Sequence, residues 1–161
     1  MEYFCRALTE GFAYQGEVSA YHESQPRGEE TVGLPLTAFV NFIQNHDQVG
    51  NRALGERLER IARNETVVKM MAAASLLSPS IPMLFMGEEF AAPDPFLFFS
   101  DLSPELSPKV TAGRRNEFKK FPAFSTPEML TKIPDPCVPE TFERSKLKWD
   151  VLEQIKHQEW L

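Results

Sequence analysis

Cysteine is nearly absent from this chain. Only Cys5 and Cys137 occur in 161 residues, in no Cys-x-x-Cys or metal-ligand spacing. A disulfide framework is excluded, and reduced thiols in a cytoplasmic protein are the expectation. No run of 18 apolar residues exists, so no membrane-spanning helix is expected. The start, "MEYFCRALTEGFAYQG", has no basic stretch leading into an apolar one, so no secretory signal is expected either. Basic residues are outnumbered, 17 Lys and Arg against 23 Asp and Glu. The resulting formal charge of -6 argues against nucleic-acid or anionic-membrane partners, which call for a basic surface. Proline, by contrast, is plentiful: 13 residues, roughly 8% where about 5% is usual. Most fall after Leu77, so the second half should consist of turns and short elements.

A composition of 42% hydrophobic and 25% charged residues suits a globular chain of one domain. Phe4, Leu8 and Phe12 form one stripe of a helix over 2–12. The polar, Gly- and Pro-containing stretch from Gln15 to Leu36 reads as a surface loop. Ala38–Gln44 is nearly continuous in apolar residues, as in a strand covered on both faces. Leu54, Leu58 and Ile61 then share one face of a helix. Asn64 caps a second helix, with Glu65 in its first turn and "VVKMMAAASLL" buried on most sides. "IPMLFMG" is a second short buried strand. Val110–Lys120 reads as a basic amphipathic helix, residues 121–145 as turns and short helices, and Ser145–Leu161 as helical again. Strand, helix, helix, strand in that order predicts a parallel crossover unit in an α/β sheet.

Both strands end in polar clusters: Asn45-His46-Asp47 after the first, Glu88-Glu89 after the second. Loops at the C-terminal ends of parallel strands carry the site in such sheets. There Asp47 can hold negative charge against a developing cation, His46 can donate to a polar substrate, and Asn45 can fix the loop. On the residues alone, a second reading stands level: Asp47 caps the following helix and His46 is an ordinary loop residue.

"FIQNHD" resembles the sugar-binding strand end of the α-amylase family of glycoside hydrolases. "SIPMLFMGEE" resembles that family's last barrel strand, Gly-x-Pro-x-x-Tyr-x-Gly-x-Glu. Pro82, Gly87 and Glu89 match, Phe85 stands in for the Tyr, and Ser80 departs from the Gly. "QNHDQVGNRALGERL", "PMLFMGEEFAAPDPFLFFSD" and "GRRNEFKKFPAF" resemble, within that family, the branch that releases trehalose from malto-oligosyl trehalose. The resemblance implies a C-terminal part of a (β/α)8 TIM barrel, about helix 6 through strand 8 and the start of the last helix, in one segment, 1–161. It implies malto-oligosyl trehalose or a related α-glucan as substrate, Asp47 as transition-state stabiliser, and His46 on the sugar hydroxyls. Asn45, Gln48, Asn51 and the loop Phe96–Asp101 would be nearby. No cofactor or metal is implied. Glu89 is better read as a buried carboxylate tying the strand end to a neighbour, and "PFLFF" as a packing plug over the barrel mouth.

The family's nucleophile and acid come from earlier strands, the first with a Gly-x-Arg-x-Asp pattern. That pattern is missing here: the only Gly-Arg, at Gly113-Arg114, opens a basic helix. A complete barrel also needs about 200–250 residues. The 161-residue chain is therefore expected to be inactive alone. A partial barrel leaves sheet edges and helix faces uncovered, which predicts a homodimer or domain-swapped assembly. A non-catalytic carbohydrate-binding or assembly module is the alternative, with the Phe96–Phe99 aromatics stacking on sugars. A metal-dependent phosphohydrolase using His46-Asp47 is disfavoured, since His22 and His157 have no helical ligand spacing.

Overall fold

The computed structural model describes residues 2–20 and 23–160; His22 lies outside them. The chain forms two compact units, Met1–Ile43 with Lys69–Met83, and Gln44–Val68 with Leu84–Leu161.

In the first unit, helix α1 (Glu2–Glu10) ends at Gly11, at φ 85, where a β-carbon would run into the Phe39 ring. The stretch expected to be loop holds a short antiparallel ladder, β1 (Val18–Ser19) with β2 (Gln25–Pro26). Strand β3 (Val40–Asn41) pairs in parallel with β4 (Ile81–Pro82). The Ile81 N–H donates to the Phe39 carbonyl at 3.1 Å and the Met83 N–H to the Asn41 carbonyl at 2.8 Å. The Asn41 side chain reaches Ser78 Oγ at 2.8 Å and ties the strand to the turn before β4. The two parallel strands fall where the apolar runs predicted them, but each keeps only two residues in the ladder. Coverage on both faces is corrected: Val40, Phe42 and Ile81 are exposed.

The second unit begins with α2 (His46–Gly50) and α3 (Leu58–Ile61). A continuous helix through Leu54, Leu58 and Ile61 does not form. Gly55, at φ +63, turns the chain so tightly against the Phe96 backbone that a β-carbon would lie 2.4 Å from its carbonyl oxygen. Helix α4 (Glu65–Leu76) runs from one unit into the other. Asn64 caps it as expected, its Oδ1 accepting from the Val67 N–H at 3.3 Å. Burial on most sides is corrected: Val68 is buried, but Val67, Met70, Met71 and Leu76 are exposed.

After β4, short elements follow one another as the prolines predict. Helices α5 (Ser107–Phe118), α6 (Pro127–Thr131), α7 (Pro139–Glu143) and α8 (Ile155–Gln158) each start at or next to proline except the last. Two cores organise this unit. Ala53, Phe118 and Ile133 form one, with Leu54, Phe124 and Leu130 against it. Phe90, Ala92 and Val151 form the other, with Leu147 and Leu152. Every buried hydrophobic residue among those described belongs to this second unit.

Candidate active site

The polar residues after the first apolar run are the head of helix α2. Asn45 sits in extended backbone, φ -147 and ψ -179, and its Oδ1 accepts from the Gln48 N–H at 2.9 Å. Asn45 is therefore the N-cap, filling one of the donors that a helix start leaves open. The reading in which Asp47 caps the helix is thereby corrected. Asp47 stands in the first turn, where the helix dipole favours a negative charge. The His46 and Asp47 side chains are 70% and 72% exposed, with His46 Nε2 3.6 Å from Asp47 Oδ1.

The other end of α2 is firmly held. Val49 and Gly50 are buried, and a β-carbon on Gly50 would touch the Phe96 ring at 3.5 Å. Arg114 Nη2 donates to the carbonyls of Gly50 and Arg52, both at 2.8 Å. Its guanidinium also lies over the Phe98 and Phe118 rings. A basic residue from the middle of α5 thus closes the C-terminal turn of α2. Asn51 is the C-cap there, and both Gln48 and Asn51 are exposed. The structure brings Asn45, His46, Asp47, Gln48 and Asn51 onto one five-residue helix with its caps, beside Phe96.

Gln44, which no functional reading singled out, does as much positioning as any residue here. It is 2% exposed, accepts from the Leu58 N–H at 3.0 Å and donates to Glu59 Oε1 at 3.2 Å. It clamps the start of α3 to the residue just before the α2 cap. Burial pushes the Glu59 carboxyl up, with Arg57 and Gln44 opposing.

The loop after β4 is fastened by Arg57. Its Nε donates to the Asp94 carbonyl and its Nη1 to the Met86 carbonyl, both at 2.6 Å, and it lies over the Phe85 ring. The buried tie expected of Glu89 belongs to its neighbour. Glu88 is 4% exposed and accepts from the Phe85 N–H at 3.2 Å, whereas Glu89 faces solvent. Burial raises the Glu88 carboxyl, opposed by the Phe85 and Gln44 hydrogen bonds. The "PFLFF" rings pack on one another: Phe96 meets Phe85 and Phe99 edge to face, and Phe99 meets Phe142. Leu97 is buried, its N–H donating to Ser145 Oγ. Among the described residues no group of three His, Cys, Asp or Glu side chains is placed to hold a metal ion, and no helix is long and apolar enough to cross a membrane.

No family model matches the chain. It is 42% identical over 151 residues to the malto-oligosyltrehalose trehalohydrolase of Deinococcus radiodurans, covering 93% of this chain and 24% of that protein. The trehalohydrolase of Saccharolobus solfataricus is 41% identical over 145 residues, covering 89% of this chain and 23% of its own length. Among solved structures, a Salmonella typhimurium chain described as a candidate alpha amylase superposes with a TM-score of 0.86 at 47% identity. That match covers 99% of this chain and 26% of the other. The chain thus spans about a quarter of the length of the proteins it matches.

Proposed function

Because this chain belongs to the α-amylase family of glycoside hydrolases, as a C-terminal part of its (β/α)8 catalytic barrel, we propose that it contributes the transition-state stabiliser, but neither nucleophile nor acid, to the catalytic machinery of a retaining glycosidase. The parent reaction is cleavage of the α-1,4-glucosidic bond next to the trehalose end of malto-oligosyl trehalose. Asp47 stabilises the oxocarbenium-like transition state, and His46 donates to the hydroxyls of the same sugar. Asn45 positions both by capping α2, with Gln48 and Asn51 on the same short helix able to reach substrate.

The observation that carries this reading is the division of work at the head of α2. Asn45 does the capping, and the Asp47 side chain is left 72% exposed, with His46 Nε2 3.6 Å from its Oδ1. A carboxylate that the cap does not use, on a helix fixed at both ends, is a group placed to meet a charge that develops in a bound substrate. The reaction also needs a nucleophile and an acid about 5–5.5 Å apart, and the pattern that supplies the first of them is missing from this sequence. The purified 161-residue chain should therefore release no trehalose from malto-oligosyl trehalose. Detectable release above a blank would overturn the division of the machinery proposed here. The carbohydrate-binding alternative rests on Phe98 and Phe99, which are exposed but already engaged, Phe98 by Arg114 and Phe99 by Phe96 and Phe142.

A further inference from the structure

A cleft of about 580 Å³ opens within the second unit, and none of the residues from Asn45 to Asn51 lines it. That volume lies in the range of small-molecule sites. Its lining is unusual for a chain of formal charge -6. Five cations, Arg57, Arg60, Arg63, Arg144 and Lys156, face three carboxylates, Glu56, Glu59 and Glu65. Among the described residues, Arg60, Arg63, Arg144 and Lys156 form no ion pair, while Glu56 is engaged by Arg52 outside the cleft at 3.8 Å.

Arg57 is the most telling of the five. It is 3% exposed, and both of its hydrogen bonds go to neutral carbonyls, those of Asp94 and Met86. Its third nitrogen, Nη2, is buried and has no partner. Burying a cation whose hydrogen bonds go only to neutral groups is costly, even with carboxylates in the surroundings. Consistent with that cost, burial lowers the Arg57 pKa despite the carboxylates around it. Two wall residues, Arg63 at φ 53 and Ala91 at φ 51, hold left-handed backbone that non-glycine residues seldom adopt. The cleft wall thus carries five cations against three carboxylates on a locally strained frame, an excess of positive charge open to an incoming anion.

We propose that this cleft binds a phosphate group carried by a small molecule. Planar guanidinium forks match phosphate oxygens in pairs and are weakly hydrated, which suits a site built chiefly of arginine. A polyanionic macromolecule is a poor fit to a chain whose overall charge would repel it. The site makes no use of Asp47 or His46, so the proposal stands apart from the glycosidase reading.

Isothermal titration of the full 161-residue chain with inorganic pyrophosphate tests it, at low salt and again near 150 mM. Saturable one-to-one binding is expected at both. The triple variant Arg60→Gln, Arg144→Gln, Lys156→Gln changes only exposed cleft residues and should weaken binding tenfold or more. A charge-matched control, Lys109→Gln, Lys119→Gln, Lys132→Gln, alters exposed lysines outside the cleft and should bind like the unmodified chain. Circular dichroism establishes that each variant is folded; if the cleft triple is not, Arg60→Gln alone should weaken binding about threefold. No saturable binding by the unmodified chain overturns the proposal. So does equal weakening by both triples, which would mark a response to net charge, or undiminished binding by the cleft variants.

Discussion

At the head of α2 three adjacent polar residues divide two tasks. Asn45 closes the helix, His46 and Asp47 extend from its first turn into solvent, and the Asn45 bond to the Gln48 N–H fixes the direction from which they extend. Removing the cap should therefore act on stability and on the site together. Asn45→Ala deletes the acceptor and is expected to cost about 1 kcal/mol, read as a lower denaturation midpoint with an unchanged slope. A variant as stable as the parent would mean that the cap contributes nothing here. That Asn45 rather than Asp47 caps was not legible from the string Asn-His-Asp, because all three residue types accept a backbone bond or tolerate a helix start. Backbone geometry decides: Asn45 alone lies outside the helix in extended conformation. The displacement of the buried carboxylate from Glu89 to Glu88 has the same origin. Gly87, at φ 82, starts a tight turn, and it sets which of two adjacent carboxylates faces inward.

Among the elements, the second helix of the crossover was the most legible. Asn64, Glu65 and the apolar run to Leu77 set its start and extent through local interactions, and α4 starts at Glu65 and ends one residue short of that run, at Leu76. The region before it was misread because periodicity at Leu54, Leu58 and Ile61 says nothing about the glycine between them. Gly55 breaks the helix through a left-handed φ and a close approach to Phe96, whose N–H donates to the Gly55 carbonyl at 2.9 Å. Gly55→Ala places a β-carbon 2.4 Å from the Phe96 carbonyl oxygen. It should destabilise by more than about 1 kcal/mol, since both backbone strain and a steric clash oppose it. An alanine variant melting at the parent temperature would show that the loop relaxes freely.

On the scale of the whole molecule, the distribution of apolar surface follows from the share of a barrel that is present. The first unit holds β3, β4 and most of α4, yet Val40, Ile81, Met70 and Leu77 are all exposed, Leu77 at 85%. Sequence gave these residues the composition of buried elements, and the misjudged burial has a physical cause. Their covering partners would be other strands and helices of a barrel, and this chain spans about a quarter of its relatives. Among the described residues β3 and β4 pair only with each other, so each keeps an open edge, and such edges and apolar patches drive association. The 161-residue chain is accordingly expected to elute as a dimer or larger assembly and to bind a hydrophobic-surface dye. Monomeric elution without dye binding would contradict this.

The account turns on Asp47, and one variant in a longer protein containing this segment tests it most directly. Asp47→Asn keeps the shape of the side chain and removes its charge. If the carboxylate stabilises the transition state more than the bound substrate, kcat for trehalose release should fall about a hundredfold or more. The melting temperature should hardly move, because the side chain is 72% exposed and Asn45 carries the cap. A variant that retains parental kcat but melts at a lower temperature would contradict the assignment and make Asp47 a structural residue.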